Sequence, residues 1–142
     1  MRKPIWKDIP LSNFDLLEWI DYLKIPNFKG IYSRNSNDHD HKTGCCIINL
    51  DDEIGNGTHR VATFVSDEII YYFDSFSLPP PIDFVEYAKR LKKSYEYNGG
   101  YPIQDINSVR CGYYCLYFLD YLKGFSLRNP QLNENFIKNY FS

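Results

Sequence analysis

No stretch of this sequence approaches the roughly 18 consecutive apolar residues of a membrane-spanning helix, and Met1 to Pro10 hold no apolar run of the kind a secretory leader carries. The expected setting is intracellular, with no membrane partner. Cysteine is scarce, with four residues: Cys45, Cys46, Cys111 and Cys115. In a reducing compartment these are expected as thiols that serve chemistry or packing, and the vicinal pair would make an awkward disulfide framework. An excess of charge of one sign is also missing. Sixteen Lys and Arg oppose 18 Asp and Glu, for a net charge of −2, so nothing calls for a polyanionic partner. The one basic cluster, Lys89, Arg90, Lys92 and Lys93, reads as a solvated helix face in preference to a nucleic-acid site. Internal repeats and low-complexity tracts are absent as well.

What the chain has in quantity is apolar and aromatic surface to bury: 44% hydrophobic residues, with 13 Tyr and 10 Phe. Such a chain offsets the entropy of folding and is not disordered. At 142 residues, one domain spanning 1–142 is large enough for a core and a cleft without disulfide or metal support.

Ser12 followed by Asp15 forms a capping-box pattern, and Leu16, Leu17, Ile20 and Leu23 recur at helical spacing, which predicts a first helix over Ser12 to Leu23. Pro26 and Gly30 suggest a turn, and the polar Ser33 to Thr43 reads as a surface loop. Three runs rich in β-branched and aromatic residues follow: Cys45 to Leu50, Arg60 to Val65 and Ile69 to Phe73. The last two are close enough for an antiparallel hairpin. After Pro79, Pro80 and Pro81 a second helix is predicted over Ile82 to Lys93, with Val85, Ala88 and Leu91 on one face. A third, about Cys111 to Lys123, is apolar nearly all round and reads as the buried central helix. A terminal helix over Gln131 to Tyr140 is expected to pack through Leu132, Phe136 and Tyr140. The fold class is α+β: a small mixed or antiparallel sheet packed with helices around a buried central one.

Cys111 opens the buried helix, where unpaired backbone N–H groups and the helix dipole favour a thiolate. Gly112 beside it leaves room for a substrate backbone. The competing reading is a small core residue like Cys115. Of the three histidines, only His59 stands at a loop-to-strand junction, following the glycine-containing loop Asp51 to Thr58, where a base is held rigidly yet exposed. Asp74 ends the strand paired with the one His59 begins, so a hairpin would bring the two together; as a lone residue it also reads as a turn former. Gln104 lies just before the nucleophile loop, where a side-chain amide can donate to a developing oxyanion. Together these residues give the order His, Asp, Gln, Cys.

On those residues the sequence resembles the adenovirus-type cysteine endopeptidases of the virophage and Maverick/Polinton kind, related to the SUMO-deconjugating proteases. The likeness runs from Phe28-Lys29-Gly30-Ile31-Tyr32-Ser33 through Cys45-Cys46-Ile47-Ile48-Asn49, Gly57-Thr58-His59, Tyr72-Phe73-Asp74-Ser75-Phe76 and Ile103-Gln104 to Ser108-Val109-Arg110-Cys111-Gly112-Tyr113-Tyr114-Cys115. It implies a papain-like architecture in circularly permuted order, with Cys111 as nucleophile, His59 as general base and later acid, Asp74 orienting it, and Gln104 with the Cys111 N–H binding the oxyanion. It also implies hydrolysis beside small residues, often Gly. Gly57, Gly112 and Arg60 are expected to line the substrate. The expected partner is a protein substrate such as a viral or mobile-element capsid precursor, acted on in host cytoplasm or nucleus or within a virion. Two alternatives share the fold: a deconjugase of a ubiquitin-like modifier, and a catalytically inert binding or virion protein.

The family has Trp after the catalytic His, whereas here the residue is Arg60. A cation there is expected to disfavour the His59 imidazolium, unless its long side chain turns to solvent or pairs with Asp52 or Glu53. The adenoviral enzyme is activated by a peptide tethered through a cysteine between its acidic residue and its Gln. No cysteine occurs between Asp74 and Gln104, so an activating peptide would bind here without that tether. His39, His41, Cys45 and Cys46 are ligand-type residues, but their spacing is not a usual structural-zinc pattern; no metal or other cofactor is expected.

Overall fold

Ser12 starts the first helix through a reciprocal bond: its hydroxyl accepts from the Asp15 N–H at 3.1 Å while the Asp15 carboxylate accepts from the Ser12 N–H at 3.0 Å. The computed structural model of the chain describes residues 2–34, 43–50, 59–99, 109–122 and 133–142. The helix it opens, α1 (Asn13–Leu23), buries Leu16, Trp19 and Ile20. Leu17 is half-exposed, so the buried face is centred on the large indole of Trp19 and the leucine row is turned partly to solvent.

The chain turns at Asn27, held at φ 57°, and not at Gly30. Gly30 lies inside β1 (Phe28–Ser33), where its φ of 142°, closed to most L side chains, accompanies a register shift against the next strand. β2 (Gly44–Asn49), β3 (Arg60–Val65) and β4 (Ile69–Phe73) follow the predicted runs closely. α2 (Ile82–Leu91) then crosses over to β5 (Ser94–Tyr97), a strand the sequence does not announce because all four of its residues are exposed and show no alternation. Helix α2 packs through Phe84, Tyr87 and Ala88, with Leu91 partly buried beside them, so the expected face is shared at Ala88 and Leu91 and extended toward the two aromatic rings.

The sheet order is β1-β2-β3-β4-β5. Its outer pairs are parallel and its central pairs antiparallel, so it is a mixed sheet. Alternation along the strands sorts the core onto two faces. One face carries Cys46, Ile48, Val61, Val65, Ile70 and Tyr72 against α2. The other carries Cys45, Ile47, Ala62 and Phe73 against α3 (Cys111–Leu122), whose residues from Cys111 to Leu119 are all buried. The all-round apolar helix is thus the central one, covered by α1 and by α4 (Glu134–Phe141). α4 packs through Ile137 and Phe141, with Phe136 only partly buried and Tyr140 exposed; Leu132 lies outside the described residues. Among the described residues no helix is long and apolar enough to cross a membrane.

Candidate active site

The β3–β4 hairpin sets the acid and base. Ala62 pairs with Phe73, and the same antiparallel register continued outward puts position 76 opposite 59 and position 74 diagonal to it on the same face. His59 is fixed as the ladder's last rung by its carbonyl, which accepts from the Leu50 N–H at 3.0 Å. Its Nε2 meets Asp74 Oδ1 at 2.9 Å. Phe76 stacks on the imidazole with centroids 4.6 Å apart, and its backbone N–H donates to the same Asp74 oxygen at 2.8 Å. Asp74 is fully buried, and its second oxygen has no donor among the described residues. Its carbonyl accepts from the Ser77 N–H at 2.8 Å and from Asn98 Nδ2 at 2.7 Å, and its own N–H donates to Asn98 Oδ1 at 2.8 Å.

Cys111 reaches this pair from α3. One turn further on, Cys115 Sγ donates to the Arg60 carbonyl at 3.3 Å, which seats the helix on the start of β3. Residues four apart share a helix face, so the turn before Cys115 brings Cys111 to residue 59. The Cys111 side chain is the second group that interacts with the His59 ring. With Nε2 taken by Asp74, the nitrogen left to take a thiol proton is Nδ1, which is buried and makes no hydrogen bond of ordinary geometry among the described residues. Catalytic hydrogen bonds are often long or poorly aligned in substrate-free sites and tighten on binding. Burial alone would lower the His59 pKa, but the hydrogen bonds and charges of Asp74 and Cys111 outweigh it and raise it to about 9.

The start of α3 is anchored from outside the sheet. Arg110, just before Cys111, pairs with Asp8 at 2.7 Å and Glu134 at 3.3 Å and lies over the Trp6 ring. Trp6 stacks on Tyr113 at 4.2 Å, and the Tyr113 hydroxyl accepts from the Lys7 N–H at 2.8 Å. Residues of the N-terminal arm thus grip α3 on both sides of Cys111.

The expectation of a cation beside the His59 ring is corrected. Arg60 falls on the face of Ala62, and its guanidinium runs to α1, where Nη2 donates to Asn13 Oδ1 at 3.1 Å. Asp74 and Cys111, not Arg60, are the charges acting on His59. Arg60 is also only 6% exposed, which leaves little of it to meet a substrate. Gly112 is likewise turned inward: a Cβ there would stand 3.3 Å from Leu16 and 3.4 Å from Leu11, so its smallness serves the close approach of the arm and α1. Gln104, Gly57, His39, His41, Asp52 and Glu53 lie outside the described residues. Cys45 and Cys46 face opposite sides of the sheet, toward the Pro26 carbonyl and the Thr63 hydroxyl, and so do not converge on one metal. Asn98, Phe76 and Arg110 were not singled out by sequence. Phe76 and Arg110 carry a signal only as members of the Tyr72 to Phe76 and Ser108 to Cys115 segments, and Asn98 carries none.

No protein-family model matches the chain, and no curated protein matches it in sequence. Two crystal structures of the ASFV pS273R protease share its fold. One superposes with a TM-score of 0.61 at 18% identity, covering 80% of this chain and 57% of that one. The other, a selenomethionine form, superposes with a TM-score of 0.66 at 18% identity, covering 94% and 67%. The chain therefore spans between about half and two thirds of the length of the protein it matches. The likeness establishes the fold: an α+β, papain-like arrangement of a mixed sheet and helices.

Proposed function

We propose that the chain is a cysteine endopeptidase, with residues 1–142 as one protease domain. The observation that carries this reading is the His59 ring standing between the buried Asp74 carboxylate and Cys111 at the head of a buried helix. The likeness in fold to a viral protease supports it. His59 takes the thiol proton, and the Cys111 thiolate adds to the scissile carbonyl carbon. The oxyanion is received by the Cys111 N–H and, in the adenovirus-type reading, by the Gln104 amide. Collapse of the tetrahedral intermediate breaks the C–N bond. The imidazolium gives its proton to the leaving amine, and a thioester remains on Cys111. Water, deprotonated by His59, then attacks the thioester, releasing the carboxylate product and restoring the thiol. Asp74 holds Nε2 and stabilises the imidazolium throughout.

The proposed substrates are capsid precursors of a virus or mobile element, cut beside Gly, with Gly57 near the bound chain. Incubation with a capsid precursor and, in parallel, with SUMO conjugates tests this, using Cys111→Ala as the blank. Cleavage of the precursor alone is expected. Cleavage of conjugates alone would make the protein a deconjugase, and cleavage of neither would favour an inert binding or virion role.

A further inference from the structure

Asn98 follows β5, the outermost strand on the α2 side, and is 5% exposed although the four strand residues before it are all open to solvent. β5 runs parallel to β4 with Tyr97 paired to Tyr72. One step further on, the ladder is completed by the side chain of Asn98 and not by its backbone. Its Oδ1 accepts from the Asp74 N–H at 2.8 Å and its Nδ2 donates to the Asp74 carbonyl at 2.7 Å. The orientation of the amide is fixed by its partners, since a backbone N–H can only donate and a carbonyl can only accept. Apart from Gln, which is one methylene longer, no other side chain offers a neutral donor and acceptor at peptide spacing.

Asp74 needs such a brace. The regular sheet ends at Phe73, and the chain bends at once, with Ser77 at φ 60° and its N–H bonded back to the Asp74 carbonyl. Without a neighbouring strand, the Asp74 N–H would be buried and unpaired, and its backbone would be held only by the turn that follows it. We infer that Asn98 is a positioning residue: its amide fixes the backbone of Asp74 and, through the Asp74 carboxylate, the orientation of the His59 ring. This rests on the protease reading for its catalytic consequence, but not for its geometric one. Among the described residues, the titratable groups around the pair are few. Asp74 and Cys111 face His59, while burial favours the neutral phenol of Tyr72 and the neutral thiol of Cys115 beside Asp74.

The test is an NMR titration of His59 in the full-length protein, read without substrate, for wild type, Asn98→Ala, Asn98→Gln and the exposed strand control Tyr95→Ala. In Asn98→Ala the His59 pKa is expected to fall from about 9 toward the ordinary 6.5, because Asp74 no longer holds Nε2 squarely. Asn98→Gln, which keeps both groups but displaces them, is expected to fall part of the way, and Tyr95→Ala not at all. With a peptide substrate, Asn98→Ala is expected to lower kcat by about 10- to 100-fold, with KM nearly unchanged. An unchanged His59 pKa in folded Asn98→Ala would overturn the inference. If that variant does not fold, the Asn98→Gln titration decides by the same criterion. A fall in pKa in a protein that cleaves no substrate in any form would uphold the role of Asn98 and sink the protease reading instead.

Discussion

The acid–base half of the site and its nucleophile half are built on different principles. His59 and Asp74 sit at adjoining ends of one short hairpin, so sheet register and a bend stitched by Phe76, Ser77 and Asn98 fix their meeting. Cys111 arrives on a helix far along the chain, and its position depends on contacts from distant segments: Asp8 and Trp6 on Arg110, Trp6 and Lys7 on Tyr113, Leu11 and Leu16 against Gly112. A hairpin places residues through local pairing, whereas a helix start is aimed only by what packs around it. Damage to the N-terminal arm should therefore disturb Cys111 while sparing the His59–Asp74 pair.

The largest expected effect isolates the nucleophile half. Cys111→Ala should abolish turnover, by on the order of 10⁴-fold or more, and leave the melting temperature within a few degrees of wild type, since little core volume is lost. Steady-state assays beside a thermal melt check it; turnover at the wild-type rate would move the nucleophile elsewhere. Trp6→Ala removes a ring stacked on Tyr113 and lying under Arg110, and should cost about 2–3 kcal/mol in urea unfolding. Its His59–Asp74 contact should persist, seen as a downfield imidazole proton; an unchanged unfolding midpoint would remove the arm from the account.

On the acid–base side the signal is pH. His59 has a folded pKa raised to about 9 from an ordinary 6.5, so protonation favours the folded state. That stabilisation is fully present below about 6.5 and is lost as the pH rises through about 9. The stability difference between wild type and His59→Gln should shrink over this window; a difference independent of pH would mean that His59 is not held protonated. The smallest effect is expected from Phe76→Ala, which strips a stacked ring from His59 but keeps the backbone bond to Asp74. A loss of about 0.5–1.5 kcal/mol, appearing as a several-fold drop in kcat, is anticipated.

Legibility in the sequence followed the same division. The capping box of Ser12 and Asp15, the strands around the hairpin and the all-apolar α3 were readable because each is written in local pattern. β1 reads as a turn in sequence because Gly30 marks a bulge as readily as a bend, and β5 has no sequence signature because an exposed edge strand has no buried face to alternate with. His59 and Asp74 could be paired from hairpin register. The destination of Arg60 could not, since its partner Asn13 is distant in sequence and only tertiary packing brings it near. Asn98 was invisible for the same reason: an Asn before two glycines reads as loop punctuation until Asp74 is seen beside it.

The most direct measurement is covalent capture of the nucleophile by an electrophilic Gly-Gly peptide under reducing conditions, with the adduct mapped by mass spectrometry. The account predicts one adduct, on Cys111, formed far more slowly in His59→Ala. Cys45, Cys46 and Cys115 should stay unmodified, because burial pushes their thiols up to about 11, to about 12 and well above the usual range, respectively. No adduct on Cys111, or one that forms at the same rate without His59, would contradict it.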